Sequence, residues 1–293
     1  MMCPAEIRPV ALDITQPGPL LAGKRGLIMG VANERSIAWG IAEAMHREGA
    51  ELAFTYANDK LRERVEPLAA SIGSDICVEM DARDDASIKA AFDTAVGALG
   101  GLDLLVHSIA FAQAHDLQQR FIETQREDFW LAVDVSAYSL VAMAREAEPH
   151  MEARGGGSIV TMTYLGGERA VPHYNVMGVA KATLDSCVKY LAWDLGARIV
   201  RGVFRIVREF RPAHGGGEAL PHRVLVGGDE HELAVLPFLD EQKPATSLQD
   251  RGHRDRGIPG PARHRRYAAR RAFFVMKSAM RAIPDSIAWL EAA

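Results

Sequence analysis

From Gly23 to about Leu195, short apolar runs alternate with longer stretches in which apolar positions recur every three to four residues. Short apolar runs bounded by turn residues predict buried strands, and the longer period predicts amphipathic helices. Strands are expected at Arg25–Met29, Glu51–Tyr56, Asp75–Met80, Leu102–Ser108 and Ser158–Met162. Helices are expected at Arg35–Arg47, with Ile37, Ile41, Ala44 and Met45 on one face, and at Asp59–Ser71, Asp85–Leu99 and Tyr174–Gly196. Arg126–Arg154 reads as one long helix preceded by a break. Strands alternating with helices imply a parallel sheet covered on both faces: a doubly wound, three-layer, Rossmann-like α/β fold. Ligands in such sheets bind at the carboxyl ends of the strands.

The two ends of the chain break this pattern. Residues 1–22 are proline-bearing, lack an apolar core of signal-peptide length, and read as a flexible arm. The alternation of strand and helix expected of a dinucleotide-sized α/β domain occupies 23–198, and 199–293 is an atypical segment. Between Arg201 and Arg271 there are 13 arginines and one lysine, Lys243, with frequent glycine, proline and histidine. Arg223–Val226 and Leu233–Leu239 are short enough and apolar enough for strands, and Ala279–Leu290 for a helix broken at Pro284. Three readings fit: a flexible basic tail, a phosphate-binding arm, or GC-rich coding DNA read out of frame. The arm lacks aromatic interleaving and has acidic residues mixed in. The third reading places a reading-frame change near Ile199, which translation of the gene in all three frames would reveal.

Composition narrows the class. Hydrophobic residues are 48% and charged residues 25% of 293, as in soluble globular proteins. A net charge of −4 gives no footprint for nucleic acid or a membrane surface, and no apolar run of about 20 residues could span a bilayer. Cys3, Cys77 and Cys187 have no metal-ligand spacing and an odd count, which fits a reducing, cytoplasmic setting. No metal is expected.

The candidate chemistry sits where the strands end. Tyr174-x6-Lys181 spans about two helical turns, so a phenol and an ammonium share a face, with Tyr164 ten residues upstream. A phenol is a poor acid at neutral pH and a neighbouring cation favours its ionised form, so the arrangement suits proton delivery to an oxyanion; the bland alternative for each tyrosine is core or interface packing. Met29-Gly30-Val31-Ala32-Asn33-Glu34-Arg35-Ser36-Ile37 is a small-residue turn from strand to helix that lets a pyrophosphate approach the helix N-terminus. It is not G-x-G-x-x-G, and a plain tight turn explains it equally. Asp81, before Ala82, either accepts from an adenine amino group or caps the next helix. Ser108, Ile109 and Ala112 leave room for a ribose and nicotinamide, while His107 reads as a packed strand residue. Gly155-Gly156-Gly157 reads as a turn.

At these residues the chain resembles the bacterial NADH-dependent enoyl-acyl-carrier-protein reductases, a divergent branch of the short-chain dehydrogenase/reductases. The resemblance runs from about Leu21 to Gly196. It rests on Gly30-Val-Ala with Ser36-Ile37-Ala-Trp-Gly-Ile-Ala, on His46 to Tyr56, on Val106-His-Ser-Ile-Ala-Phe-Ala112, on Ser136-Ala-Tyr-Ser139 and on the Tyr164–Lys181 run. Ordinary short-chain dehydrogenases carry Tyr-x3-Lys, so Tyr-x6-Lys is the specific part. The resemblance implies NADH contacts at Gly30, Ala32, Ser36, Ile37, Asp81, Ala82, Ser108 and Ile109, and an acyl-substrate contact at Ala112. It implies a catalytic Tyr174, a Lys181 that hydrogen-bonds the nicotinamide ribose, and a second active-site tyrosine at Tyr164. Ala57 stands where many members have glutamine. No Arg–Lys pair follows Tyr56 to hold a 2′-phosphate, which favours NADH over NADPH.

The implied activity is reduction of a trans-2-enoyl thioester on acyl carrier protein, within type II fatty acid biosynthesis, by a homotetramer. The family's nicotinamide-holding loop and final strand have no counterpart after Ile199, so an edge strand is expected to be missing and the sheet near Leu104–Val106 to lose cover. Two rivals follow: a carbonyl-reducing short-chain dehydrogenase, and a nucleotide-binding relic unable to turn over.

Overall fold

In a computed structural model of the chain, residues 20–196 are described in full, together with the strand backbone at 200–208, 224–227 and 234–236. The first 19 residues and most of 199–293 lie outside this range, so the arm, the helix expected at Ala279–Leu290 and Cys3 lie outside the described residues. The apolar runs form β1 (Arg25–Met29), β2 (Glu51–Tyr56), β3 (Cys77–Glu79), β4 (Leu104–His107) and β5 (Gly157–Tyr164). They lie in the order β3-β2-β1-β4-β5, with every neighbouring pair parallel. The chain reverses its winding between β1 and β4, and this is the switch point at which open α/β sheets bind ligands.

Helices cover both faces because successive strand residues point to opposite sides. Leu27 and Met29 of β1 pack with Phe92 of α3 (Asp85–Leu99), Leu140 and Met143 of α6 (Ser139–Ala153) and Leu184 of α7 (Asn175–Gly196). Ile28, between them, packs the other way, with Trp39 and Ile41 of α1 (Ile37–Arg47) and Val65 of α2 (Asp59–Ser71). Asn58 and Asp84 cap α2 and α3 through their side chains, each accepting one early backbone N–H. At the amino edge of the sheet, the buried Asp103 carboxylate is neutralised by Lys24 and Arg154, each at 2.9 Å. That buried charge is paired and structural.

Three elements differ from the sequence reading. The long helix over Arg126–Arg154 is α5 (Arg126–Val133), a π turn over Asp134–Tyr138, and α6. The π turn is where the helix turns its serines outward to other segments: Ser136 Oγ bonds the Phe111 backbone, and Ser139 reaches His107. A one-turn helix, α4 (Ala114–Gln118), and a 3₁₀ turn at Phe121–Glu123 precede it, too short to show a period in sequence. Finally, β6 (Val200–Arg208) pairs in parallel with β5 along Gly157–Tyr164, so the β5 edge is not left open. Two antiparallel strands continue the sheet, β7 (Val224–Gly227) and β8 (Ala234–Leu236), within or overlapping the two short apolar runs noted above. Leu104 and Val106 are buried, at 6% and 1% exposure, in a cluster with Ile28, Met45 and Leu52, contrary to the expected loss of cover. Among the described residues, no helix is long and apolar enough to cross a membrane.

Candidate active site

The carboxyl edge of the sheet collects the predicted residues in strand order. Asp81 and Ala82 follow β3, Gly30 ends β1, Ser108, Ile109 and Ala112 follow β4, and Tyr164 ends β5. All of them, with Ala32, Ser36 and Ile37, are half-buried, as residues lining an open crevice are.

At the switch point the two central strand ends touch. Gly30 has φ of +89°, and a Cβ there would overlap the Ser108 carbonyl. Ser36 does not bond within its own helix; its Oγ accepts from the Ala32 and Asn33 amides at 3.0 Å each, holding the turn below the start of α1. The turn so held brings the N-terminus of α1 to the carboxyl edge of the sheet, the arrangement that suits a pyrophosphate. Gly30→Ala is expected to lower the melting temperature by several degrees and to weaken NADH binding at least tenfold. The added methyl meets a backbone atom, which cannot rotate away, at a φ that costs about 1 kcal/mol or more. A melting curve and a fluorescence titration check it.

Asp81 is not the cap of α3, since Asp84 is. Its carboxylate instead accepts from the Arg83 backbone at 2.9 Å and from the Arg83 guanidinium at 2.7 and 3.0 Å, which holds its pKa below the usual carboxylate value. The Asp81 amide donates to Ser87 Oγ, fixing the turn after β3.

On the other side of the switch point, Tyr164 and Tyr174 form a pair with ring centroids 4.6 Å apart and planes tilted by 57°. Gly166 makes room for it: a Cβ there would overlap Tyr174 Cδ1 and lie 3.2 Å from Tyr164 Cδ1. Lys181, two helical turns along α7, is buried and donates from Nζ to the Met162 carbonyl at 2.7 Å. The ammonium is thereby held against the strand that carries Tyr164. Burial lowers its pKa to about 8, partly opposed by Asp185.

The pull toward ionisation expected from a neighbouring cation does not decide the Tyr174 pKa. Burial pushes its phenol well above 10, and Tyr164 and Asp185 push in the same direction. Desolvation outweighs a cation that is occupied elsewhere, so Tyr174 is a neutral O–H, a hydrogen-bond donor at physiological pH. Tyr164 is also raised by burial, less so because Arg169 opposes it.

His107 is fully buried, with Nδ1 and Nε2 each 2.9 Å from a hydroxyl, of Thr161 and Ser139 respectively. It packs β4 against β5 and the first residue of α6. Among the described residues, His115, Asp116 and Asp128 bring possible ligand atoms within 4.8 Å of one another, and the 3.0 Å bond from His115 Nε2 to Asp128 accounts for that cluster. Sequence reasoning missed Gly166 and Asn175. The Gly166-Gly167 pair between the tyrosines was the available signal for the first; the second depends on a backbone angle no local pattern displays.

A family model for enoyl-(acyl carrier protein) reductases matches residues 30–203, more than half of the chain. The chain belongs to the enoyl-(acyl carrier protein) reductase family. The NADH enoyl-(acyl-carrier-protein) reductase of Aquifex aeolicus is 54% identical over 176 residues, 60% of this chain and 65% of that relative. The chain thus matches slightly under two thirds of that relative's length. The Aquifex aeolicus crystal structure superposes with a TM-score of 0.61 at 52% identity, covering 63% of this chain and 78% of the other. The Anaplasma phagocytophilum reductase, solved in complex with NAD, gives 0.60 at 45% identity, covering 63% and 70%. All three fall short of the whole chain, as expected of a family likeness that fades in the C-terminal third.

Proposed function

We propose that the chain catalyses NADH-dependent reduction of trans-2-enoyl thioesters on acyl carrier protein to saturated acyl thioesters, in type II fatty acid biosynthesis. The observation that carries this reading is the Tyr164–Tyr174 pair at the end of β5, with Lys181 buried against the Met162 carbonyl of the same strand. Gly30 lets the turn after β1 close against the Ser108 carbonyl, where a Cβ would overlap it, and so brings together the two strand ends that would hold NADH. Gly30, Ala32, Ser36 and Ile37 would hold the pyrophosphate side, Asp81 and Ala82 the adenine side, and Ser108, Ile109 and Lys181 the nicotinamide ribose. The bound cofactor supplies the hydride.

The chain's own residues do the rest. As hydride reaches the β-carbon, charge develops on the thioester oxygen as an enolate. Tyr174, kept neutral by burial, donates its O–H to that oxygen and stabilises it by about 3–4 kcal/mol relative to no donor. Lys181 adds positive potential next to it, and Tyr164 shapes the thioester pocket. Ala112 contacts the acyl chain. Protonation of the α-carbon then completes the saturated product.

The same reading takes 23–198 as the reductase domain, between an arm at 1–22 and the segment 199–293. It makes the protein a cytoplasmic homotetramer that binds neither nucleic acid nor a membrane. The unpaired thiols Cys77 and Cys187 fit that compartment, and exposed Trp130, Tyr190 and Trp193 offer helix faces for assembly. The test is NADH oxidation by the purified chain with crotonyl and longer enoyl thioesters, run beside a panel of ketones and size-exclusion chromatography. Enoyl turnover by a soluble tetramer is expected. Ketone turnover without enoyl turnover would favour a carbonyl reductase, and NADH binding with no turnover a relic.

A further inference from the structure

The start of α7 is backbone-strained, and one side chain there reaches across the site. His173 and Asn175, on either side of Tyr174, have φ of +61° and +38°. The left-handed region costs an ordinary residue roughly 1–2 kcal/mol and is best tolerated by glycine, asparagine and aspartate. Asn175 Nδ2 donates to two backbone carbonyls, Asp116 and Gln119, at 2.8 Å each. These belong to the end of α4, where a helix has carbonyls with no donor of its own.

The one-turn α4 cannot hold itself together, since isolated helices shorter than roughly 12–15 residues are marginal. The segment leading into it carries Ile109 and Ala112 and is held at Phe111, whose amide and carbonyl both bond Ser136 Oγ, at 3.0 and 3.2 Å. Asn175 supplies the second hold, at the far end. The same residue sets the backbone immediately after the Tyr174 phenol.

We propose that Asn175 is a positioning residue: it clamps α4, and the crevice wall at Ala112 between α4 and the Phe111 hold, to the backbone that aims Tyr174, so that wall and proton donor keep one geometry. This rests on the reductase reading for its catalytic consequence, though the clamp itself does not. Displacing a catalytic group by about 1 Å costs on the order of 10²-fold in rate, and loss of two neutral hydrogen bonds is enough to let a one-turn helix open.

Asn175→Gly and Asn175→Asp separate the two functions of the residue. Glycine adopts the positive φ freely but deletes both hydrogen bonds; aspartate keeps size and φ tolerance but presents acceptors to two carbonyls. Hydrogen exchange is read at the α4 amides of Asp116 and Gln119, which donate to Gln113 and His115 carbonyls. Exchange there is expected to accelerate about tenfold or more in both variants, with core-strand amides unchanged. For enoyl thioester, KM is expected to rise and kcat to fall, each about tenfold, with the NADH dissociation constant held within about twofold. A merely structural role would lower stability and move the enoyl and NADH constants together.

Unchanged α4 exchange in both variants would overturn the clamp. Faster α4 exchange with unchanged kcat and KM would overturn the positioning role. A wild-type chain that turns over no enoyl thioester, while both variants still loosen α4, would overturn the reductase reading and leave the clamp in place.

Discussion

Tyr174→Phe is expected to lower kcat for an enoyl thioester by roughly 10²–10³-fold while leaving NADH affinity unchanged. The substitution removes a single oxygen. The ring that pairs with Tyr164 at 4.6 Å stays, and so does the cavity Gly166 provides for it. The lost group is the donor aimed at the developing oxyanion, and burial has kept that donor protonated. Its contribution is made in the transition state, so the loss should appear in kcat and kcat/KM alike. Steady-state kinetics with an NADH titration checks this. A variant with wild-type turnover would remove Tyr174 from the mechanism.

The second large effect is on stability in acid. His107 is fully buried between Thr161 and Ser139, and burial, helped by the positive Lys181, lowers its pKa from 6.5 to about 3. Below 6.5 the unfolded chain binds a proton at His107 that the folded chain refuses. Its contribution to stability is therefore complete above pH 6.5 and is lost as pH falls toward 3. The loss reaches about 2 kcal/mol by pH 5. His107→Gln keeps an amide able to bridge the two hydroxyls and removes the titration. Urea unfolding of both proteins from pH 7.5 to 4.5 should give converging stabilities, with the wild type falling faster. Parallel curves would mean that His107 charges without penalty.

Much of the fold was legible because each element carries its own signal. Arg25–Met29, Glu51–Tyr56, Asp59–Ser71 and Asp85–Leu99 form with the bounds read from their periodicity. Their hydrophobic faces are buried by neighbours that the alternation of strand and helix makes nearly obligatory. The elements misread were those whose conformation depends on distant partners. The π turn at Asp134–Tyr138 interrupts a continuous helical pattern because Ser136 and Ser139 are needed by Phe111 and His107. The pairing of Val200–Arg208 with β5 was hidden by Arg201, Arg205 and Arg208, which break up its apolar positions.

The site divides in the same way. The sequence by itself determined which chemical groups are present and their spacing: Tyr164, Tyr174 and Lys181, with small residues at the ends of β1 and β4. Spacing is a local property, but the expectation of one shared face assumed a helix running through Tyr174; α7 starts at Asn175, and His173 and Asn175 at positive φ leave Tyr174 in the turn before it. Only the tertiary structure decided their protonation. It buried the phenol and gave the ammonium to the Met162 carbonyl, so that burial raises the Tyr174 pKa where the pairing alone suggested a cation lowering it. It also decided Asn175, whose two acceptors lie 56 and 59 residues away in the chain. Desolvation and long-range hydrogen bonds depend on what packs around a group, and that is fixed only when the sheet and its helices come together.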